Sequence, residues 1–374
     1  MKVGVVTFYK TPNYGAMLQA FALSSFLRSL GHAVAFVSTP YGRFNKISLF
    51  RCFCSRKFTV FRQKLQSYFD FSVVGFTDNY PETIHYRNVE QLNTSPPECD
   101  ILIVGSDQVW NPRYCDPKWI DIAFLSFAKA NTKKIAYAAS FGANSWKNIV
   151  TKDKVGGLLK QFSKISVREK SGVALVCSLS GRSAEPVIDP TLLYGVDFYL
   201  TLIRNAYGES EKGHNDRFVF SYLLPRKSLE EESKALIHCT KILGVRSIIT
   251  ERREFKGTLR FLTSCLGVNL KVPVEEWLYS IYRSDFVFTN SFHGVVFSVL
   301  FHKRFIAILS RGETVEQNER MISFLEDIKL EKRMMYASEV QKNDGIIKAA
   351  IDWNSVDAIV TQKRSAGRDF LASI

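Results

Sequence analysis

The sequence predicts an α/β protein of two Rossmann-like domains facing each other across a cleft, and three observations predict it. At 374 residues the chain is longer than one typical core organises, which points to two. Its apolar residues fall into short strand-like runs that alternate with stretches at helical spacing, as parallel βαβ sheets require. Between about 190 and 217 the text turns polar and irregular, ending in Gly208-Glu-Ser-Glu-Lys-Gly-His-Asn-Asp, so a linker or exposed loop separates two such patterns. The expected division is a first domain over 1–195, a second over 215–340 and a helical C-terminal segment over 341–374.

In chain order, Lys2 to Phe8 reads as a strand, Tyr14 to Leu27 as a helix and Ala33 to Val37 as a second strand. Residues 43–69 are a basic, aromatic insertion. Ile101 to Val104 and Lys134 to Ala139 read as strands, 151–162 as a helix and Lys164 to Val167 as a strand. Beyond the linker come a strand from Phe218 to Leu223, a helix from Ser228 to Leu243, a strand from Ser247 to Thr250 and a helix from Val274 to Arg283. A last βαβ unit follows: strand Asp285–Thr289, helix Gly294–Phe301 and strand Arg304–Leu309.

Composition narrows the class. Hydrophobic content of 46% with 23% charged residues is that of a soluble globular protein. Seven cysteines without paired metal spacing argue for neither a disulfide framework nor a zinc site, and a reducing cytoplasm fits. Residues 286–309 are apolar enough to suggest a membrane span, but His293, His302, Lys303 and Arg304 interrupt them. The apolar run before Lys10 is too short for a signal peptide. The net charge of +14 is concentrated early, since the first 69 residues hold ten Lys or Arg and no carboxylate before Asp70. Such an imbalance suits nucleic acid, anionic lipid or a phosphorylated substrate.

The residues that carry chemistry sit where strands end and helices begin, the crevice in which open parallel sheets bind ligands. Thr289-Asn-Ser-Phe-His-Gly interrupts the most apolar region of the chain, and its Thr289, Asn290, Ser291, His293 and Gly294 would offer polar atoms and N–H groups to an anion. The same residues fit a helix cap, with His293 a hydrogen-bonded member of the first turn. Asn13-Tyr14-Gly15 lies at the first strand-to-helix turn, where a glycine lets backbone approach a ligand or simply makes a tight turn. In Gly105-Ser-Asp-Gln-Val-Trp, Asp107 suits a general base, or a turn residue, and Trp110 offers a face to a sugar ring. Arg168 directly follows a strand, as an anion grip or as half of a solvated ion pair with Glu169.

Together these segments resemble the polysaccharide pyruvyl transferases. The resemblance runs through Asn13-Tyr-Gly-Ala with Leu18-Gln19, Val104-Gly-Ser-Asp-Gln-Val-Trp, Tyr137-Ala-Ala-Ser-Phe-Gly, Val167-Arg-Glu, Asp189-Pro-Thr-Leu-Leu and Thr289-Asn-Ser-Phe-His-Gly, and their order is specific. It implies a fold like the two-domain glycosyltransferases of GT-B type, phosphoenolpyruvate as donor and co-substrate with no further cofactor or metal, and transfer of its pyruvyl group onto sugar hydroxyls as a cyclic ketal. By position, Arg168 matches the arginine expected to hold the donor and His293 the histidine expected at the donor site. Arg320, in Glu316-Gln-Asn-Glu-Arg-Met-Ile-Ser-Phe-Leu, is similar to the family's C-terminal arginine on a helix, and equally fits a charged surface helix. One departure is Ser291, where relatives often carry a second arginine two residues before the histidine. Another is Gly105-Ser106-Asp107, where many relatives are glycine-rich, so Asp107 as base comes from its residue type and place.

The expected site is therefore catalytic His293 and Asp107; donor-binding Arg168, Thr289, Asn290, Ser291, Gly294 and Arg320; and acceptor-binding Asn13, Tyr14, Gly15 and Trp110. The expected partners are phosphoenolpyruvate and a glycan of the cell surface or its precursor, free or lipid-linked, and no nucleic acid. Two other readings stand beside this one: a GT-B-type glycosyltransferase using a nucleotide sugar, and a non-enzymatic polyanion binder. Residues 43–69, with seven Lys or Arg among six Phe and Tyr68, fit a packed helical excursion, an oligomer contact or a peripheral hold on the anionic cytoplasmic membrane face.

Overall fold

The computed structural model describes residues 1–11, 13–38, 76, 78–113, 115, 117–207, 217–224, 229–245, 247–250 and 271–374; the insertion 43–69 lies outside them. The first sheet is built of β1 (Lys2–Val6), β2 (Ala33–Ser38), β3 (Thr83–His85), β4 (Ile101–Val104), β5 (Lys133–Ala139), β6 (Lys164–Val167) and β7 (Glu185–Pro186). Their order is β3-β2-β1-β4-β5-β6-β7 and the pairs are parallel. The second sheet is built of β8 (Phe218–Tyr222), β9 (Ser247–Thr250), β10 (Phe286–Thr289), β11 (Arg304–Ile308) and β12 (Met334–Met335). It runs β12-β11-β10-β8-β9, also parallel. Central strands such as Ile101–Val104 and Phe286–Thr289 are buried throughout, because helices cover both faces, and they read as unbroken apolar runs.

Both orders are doubly wound, and each reverses direction at one point: between β1 and β4 in the first sheet, and between β8 and β10 in the second. The turns that follow β1, β4 and β10 carry Gly15, Asp107 and His293, so topology alone brings these three segments to the crevices.

Apolar contact is continuous from one sheet to the other. Tyr14, in the helix Tyr14–Ser29, stacks on Trp277 of the helix Val274–Arg283 at 5.0 Å, and its hydroxyl donates to the Val272 carbonyl at 2.8 Å. Tyr14 therefore joins the domains and is not open to an acceptor, as its place in the turn had suggested. Ion pairs add to the join: Lys170 and Lys363 both meet Asp327, at 2.5 and 2.6 Å, and Lys147 meets Glu316.

The C-terminal helix Trp353–Ala372 crosses back to the first sheet. There Arg364 and Arg368 donate to the carbonyls of Leu192 and Leu193, both at 2.8 Å. Gly367 lies where a β-carbon would come within 2.8 Å of the Tyr137 hydroxyl, so a larger residue would push the helix off.

Two expectations are corrected. The stretch from 190 is not all irregular, for Val196–Tyr207 is a helix that buries Tyr199 and Ile203, four residues apart on one face. Trp110 is fully buried, stacked on Phe124 at 5.0 Å with its indole N–H donating to the Ala123 carbonyl at 2.9 Å. Its large apolar area goes to the core rather than to a sugar. Trp110→Phe is expected to lower stability by about 1–3 kcal/mol through a cavity and a stranded carbonyl. Chemical denaturation checks this, and substrate affinities should not change.

Candidate active site

On the seam between the domains, charged side chains from both sides converge. Arg168 follows β6 and its side chain is 4% exposed, not a solvated half of an ion pair. Its Nη1 donates to Asp189 Oδ2 at 2.6 Å and stands 3.4 Å from Ser106 Oγ, while Nε lies 3.5 Å from Glu169 Oε1. Glu169 in turn accepts from the Ser140 hydroxyl. The guanidinium sits 4.5 Å over the Phe292 ring, and Arg320 of the helix Glu319–Asp327 approaches the same ring at 5.7 Å. Arg320 also stands 3.6 Å from Asp107. Two arginines thus flank one aromatic ring, although Ser291 stands two residues before the histidine.

Asp189 organises the group. Its Oδ1 accepts from the Thr191 N–H at 3.0 Å and the Thr191 hydroxyl at 2.7 Å. Its Oδ2 receives Arg168 and the Ser106 hydroxyl, at 3.1 Å, and lies 3.5 Å from His293 Nε2. Burial alone would raise this carboxyl's pKa, but His293 and Arg168 beside it and the Thr191 N–H outweigh burial and hold it well below the usual carboxylate range. Burial likewise works against charge on Arg168, and Asp189, Glu169 and Asp107 more than offset it. The guanidinium is firmly protonated.

Among the described residues, Arg168 Nη2 is buried without a hydrogen-bond partner, and His293 Nε2 has only its 3.5 Å approach to Asp189. Such groups are costly unless something else meets them, roughly 1–3 kcal/mol each. They mark the edge at which a ligand anion would bind.

The local folding explains how these side chains are presented. Asp107 has φ +72, a left-handed conformation that aspartate tolerates better than most residues, and its Oδ1 accepts from the Gln108 N–H at 2.9 Å. β5 has a bulge between Ala136 and Ala139, with Ala138 at φ +49, before it delivers Ser140 to Glu169.

The segment Thr289 to Gly294 divides. Ser291 caps the helix Phe292–Leu300 by accepting from the Gly294 N–H at 3.4 Å. The Thr289 hydroxyl donates to the Tyr222 carbonyl at 2.6 Å, and Gly294 packs so close to Thr289 that no side chain fits. Asn290 clasps Leu224, accepting from its N–H at 2.7 Å and donating to its carbonyl at 3.1 Å. These four fasten the switch point of the second sheet, their polar side chains bonded to one another's backbone and to Tyr222 and Leu224. His293 points across the seam instead, beside Phe292, whose ring lies under Arg168.

On the first domain, Asn13 caps its helix by accepting from the Ala16 N–H at 3.2 Å. Gly15 is buried beneath His293 and is closed to an acceptor. Sequence reasoning missed Asp189, Glu169, Ser106 and Phe292 as members of the site. The one local signal was Asp189-Pro-Thr after a strand, a turn able to hold a carboxylate rigidly. What the carboxylate faces is decided by tertiary structure.

Two doubly wound domains with charged residues converging on their seam define a GT-B-like protein. Solved structures of that architecture superpose along the whole chain. A UDP-N-acetylglucosamine 2-epimerase, provisionally so described, from Listeria monocytogenes gives a TM-score of 0.53 at 12% identity, covering 100% of this chain and 94% of its own. The glycotransferase of kitacinnamycin gives 0.51 at 10% identity, covering 100% and 97%. LpCGTa, solved with UDP, gives 0.52 at 11% identity, covering 100% and 99%. Identities this low establish the fold alone. No curated protein matches the sequence. The family model for polysaccharide pyruvyl transferase matches residues 13–311, which include Arg168, Asp189 and His293, and the chain belongs to that family.

Proposed function

We propose that the protein transfers the pyruvyl group of phosphoenolpyruvate to two hydroxyls of a sugar in a cell-surface polysaccharide or its precursor, forming a cyclic ketal and releasing phosphate. The observation that carries this reading is the buried Arg168, whose Nη2 has no hydrogen-bond partner among the described residues, beside His293 on the seam of a transferase of this family. A buried, fully charged arginine supported on an aromatic ring suits a small, multiply charged anion. Arg320, across Phe292, is the second cation for the donor.

In this reading His293 protonates the methylene carbon of the donor, leaving positive charge at C2. A sugar hydroxyl attacks C2 as Asp107 draws off its proton. Departure of phosphate, which carries away the remaining proton, and attack of a second hydroxyl close the ketal. The methyl group keeps the proton from His293, so atoms and charge balance.

Among the described residues no helix is long and apolar enough to cross a membrane. A peripheral hold on an anionic membrane, beside a lipid-linked acceptor, rests on the composition of residues 43–69.

Nucleotide-sugar transfer is the competing reading, favoured by the shared architecture. Calorimetry separates them: phosphoenolpyruvate is expected to bind and UDP-sugars not to. Arg168→Lys should weaken phosphoenolpyruvate binding about tenfold or more, since an ammonium keeps the charge but loses the planar two-point grip. Heat on titration with UDP-sugars and none with phosphoenolpyruvate would overturn the donor assignment.

A further inference from the structure

We infer that Gly15 and Asp189, both in the first domain, form the seat that positions His293 of the second domain for the reaction. The inference rests on His293 acting on the donor. His293 belongs to the first turn of the helix Phe292–Leu300 and Gly15 to the first turn of the helix Tyr14–Ser29, so two helix starts meet across the seam.

A β-carbon on Gly15 would overlap the His293 ring at Nδ1 and Cγ and come within 2.6 Å of His293 Cβ. Turning the ring aside would not relieve that last contact, because Cβ is fixed to the helix backbone. Alanine here would have to push the two helices apart. Gly15 is not among the residues with left-handed φ, so its bare backbone serves space and not conformation. Within a helix, alanine would otherwise be the more stable choice.

The opposite edge of the ring faces Asp189, whose other oxygen is fixed by Thr191. The ring is therefore held between a backbone wall and a carboxylate, and the same carboxylate holds Arg168. Next to Gly15, Tyr14 already ties the first domain to Val272 and Trp277, which sets the separation of the two helices. Donor arginine and acid histidine, from different domains, thus share one alignment, and displacement of either by about 1 Å is enough to cost two orders of magnitude in rate.

The test is Gly15→Ala in the full-length protein. Turnover with phosphoenolpyruvate is expected to fall roughly a hundredfold, with donor affinity, set by Arg168, changed only a few-fold. The imidazole signals of His293 in heteronuclear NMR should shift without donor present. Thermal melts of Gly15→Ala, His293→Gly and the double variant complete the cycle: alanine at position 15 should lower the melting temperature beside histidine but not beside glycine.

Unchanged turnover with unmoved imidazole signals would overturn the seat. So would an equal loss of melting temperature in both backgrounds, which would make Gly15 a packing residue only. If the wild type transfers no pyruvyl group, the donor reading fails, while the NMR and melting results still decide whether the seat exists.

Discussion

Asp189→Ala is expected to destabilise the protein by about 3–5 kcal/mol, the scale for removing one partner of a buried ion pair. The wild-type carboxylate offsets the buried charge of Arg168 at 2.6 Å and accepts three further hydrogen bonds, from Ser106 and from Thr191 twice. Without it the guanidinium stays charged in a site from which water is excluded. Urea denaturation measures the loss directly, and a change below about 0.5 kcal/mol, the range of ordinary surface substitutions, would mean that Arg168 is balanced from elsewhere.

The same carboxylate sets a pH dependence. Its folded pKa is depressed, first against burial and then by His293 and Arg168, so its contribution is complete above the unfolded value of about 3.9 and is lost progressively as pH falls below that. Wild-type stability should therefore drop on acidification from roughly pH 5 downward. Asp189→Asn, which has no proton to take up, should lose less over the same range. Parallel slopes for the two proteins would show that the acid sensitivity belongs to other groups.

How much of this was legible in the sequence depends on distance along the chain. Ile101–Val104, Lys164–Val167, Ser247–Thr250 and Val274–Arg283 are where the apolar patterns place them, because a buried parallel strand or an amphipathic helix writes its period locally. Thr83–His85, Glu185–Pro186 and Met334–Met335 escaped notice, being too short to show a period. Their pairing partners stabilise them, not their own residues.

For the candidate site, residue type and the strand-to-helix position singled out Arg168, Asp107 and His293, whose side chains the structure places along one seam. The same rule also gathered Thr289, Asn290, Ser291 and Gly294, since a polar turn at a sheet's switch point looks alike whether it binds a ligand or fastens itself. Trp110 shows the limit from the other side: a tryptophan beside a cleft and one beneath it read identically, and only the packing with Phe124 and Phe141 tells them apart.

His293→Ala is expected to fold and to lose turnover by about a hundredfold or more, the usual loss when a general acid or base is removed. The alternative, that His293 is a satisfied core side chain, makes the opposite forecast: a stability loss with proportionate loss of activity and nothing more. A satisfied histidine would complete a hydrogen bond at Nε2, whereas this buried nitrogen stops 3.5 Å from Asp189, beyond ordinary hydrogen-bond length, and makes no hydrogen bond among the described residues. Its ring also fills space that Gly15 leaves open, so alanine leaves a small cavity at the seam as well. Single-turnover kinetics at saturating donor read the chemical step apart from binding. A rate within a few-fold of wild type there would remove His293 from the chemistry and return it to the packing of the two helix starts. A hundredfold drop with phosphoenolpyruvate affinity retained would place the lost proton transfer on this residue.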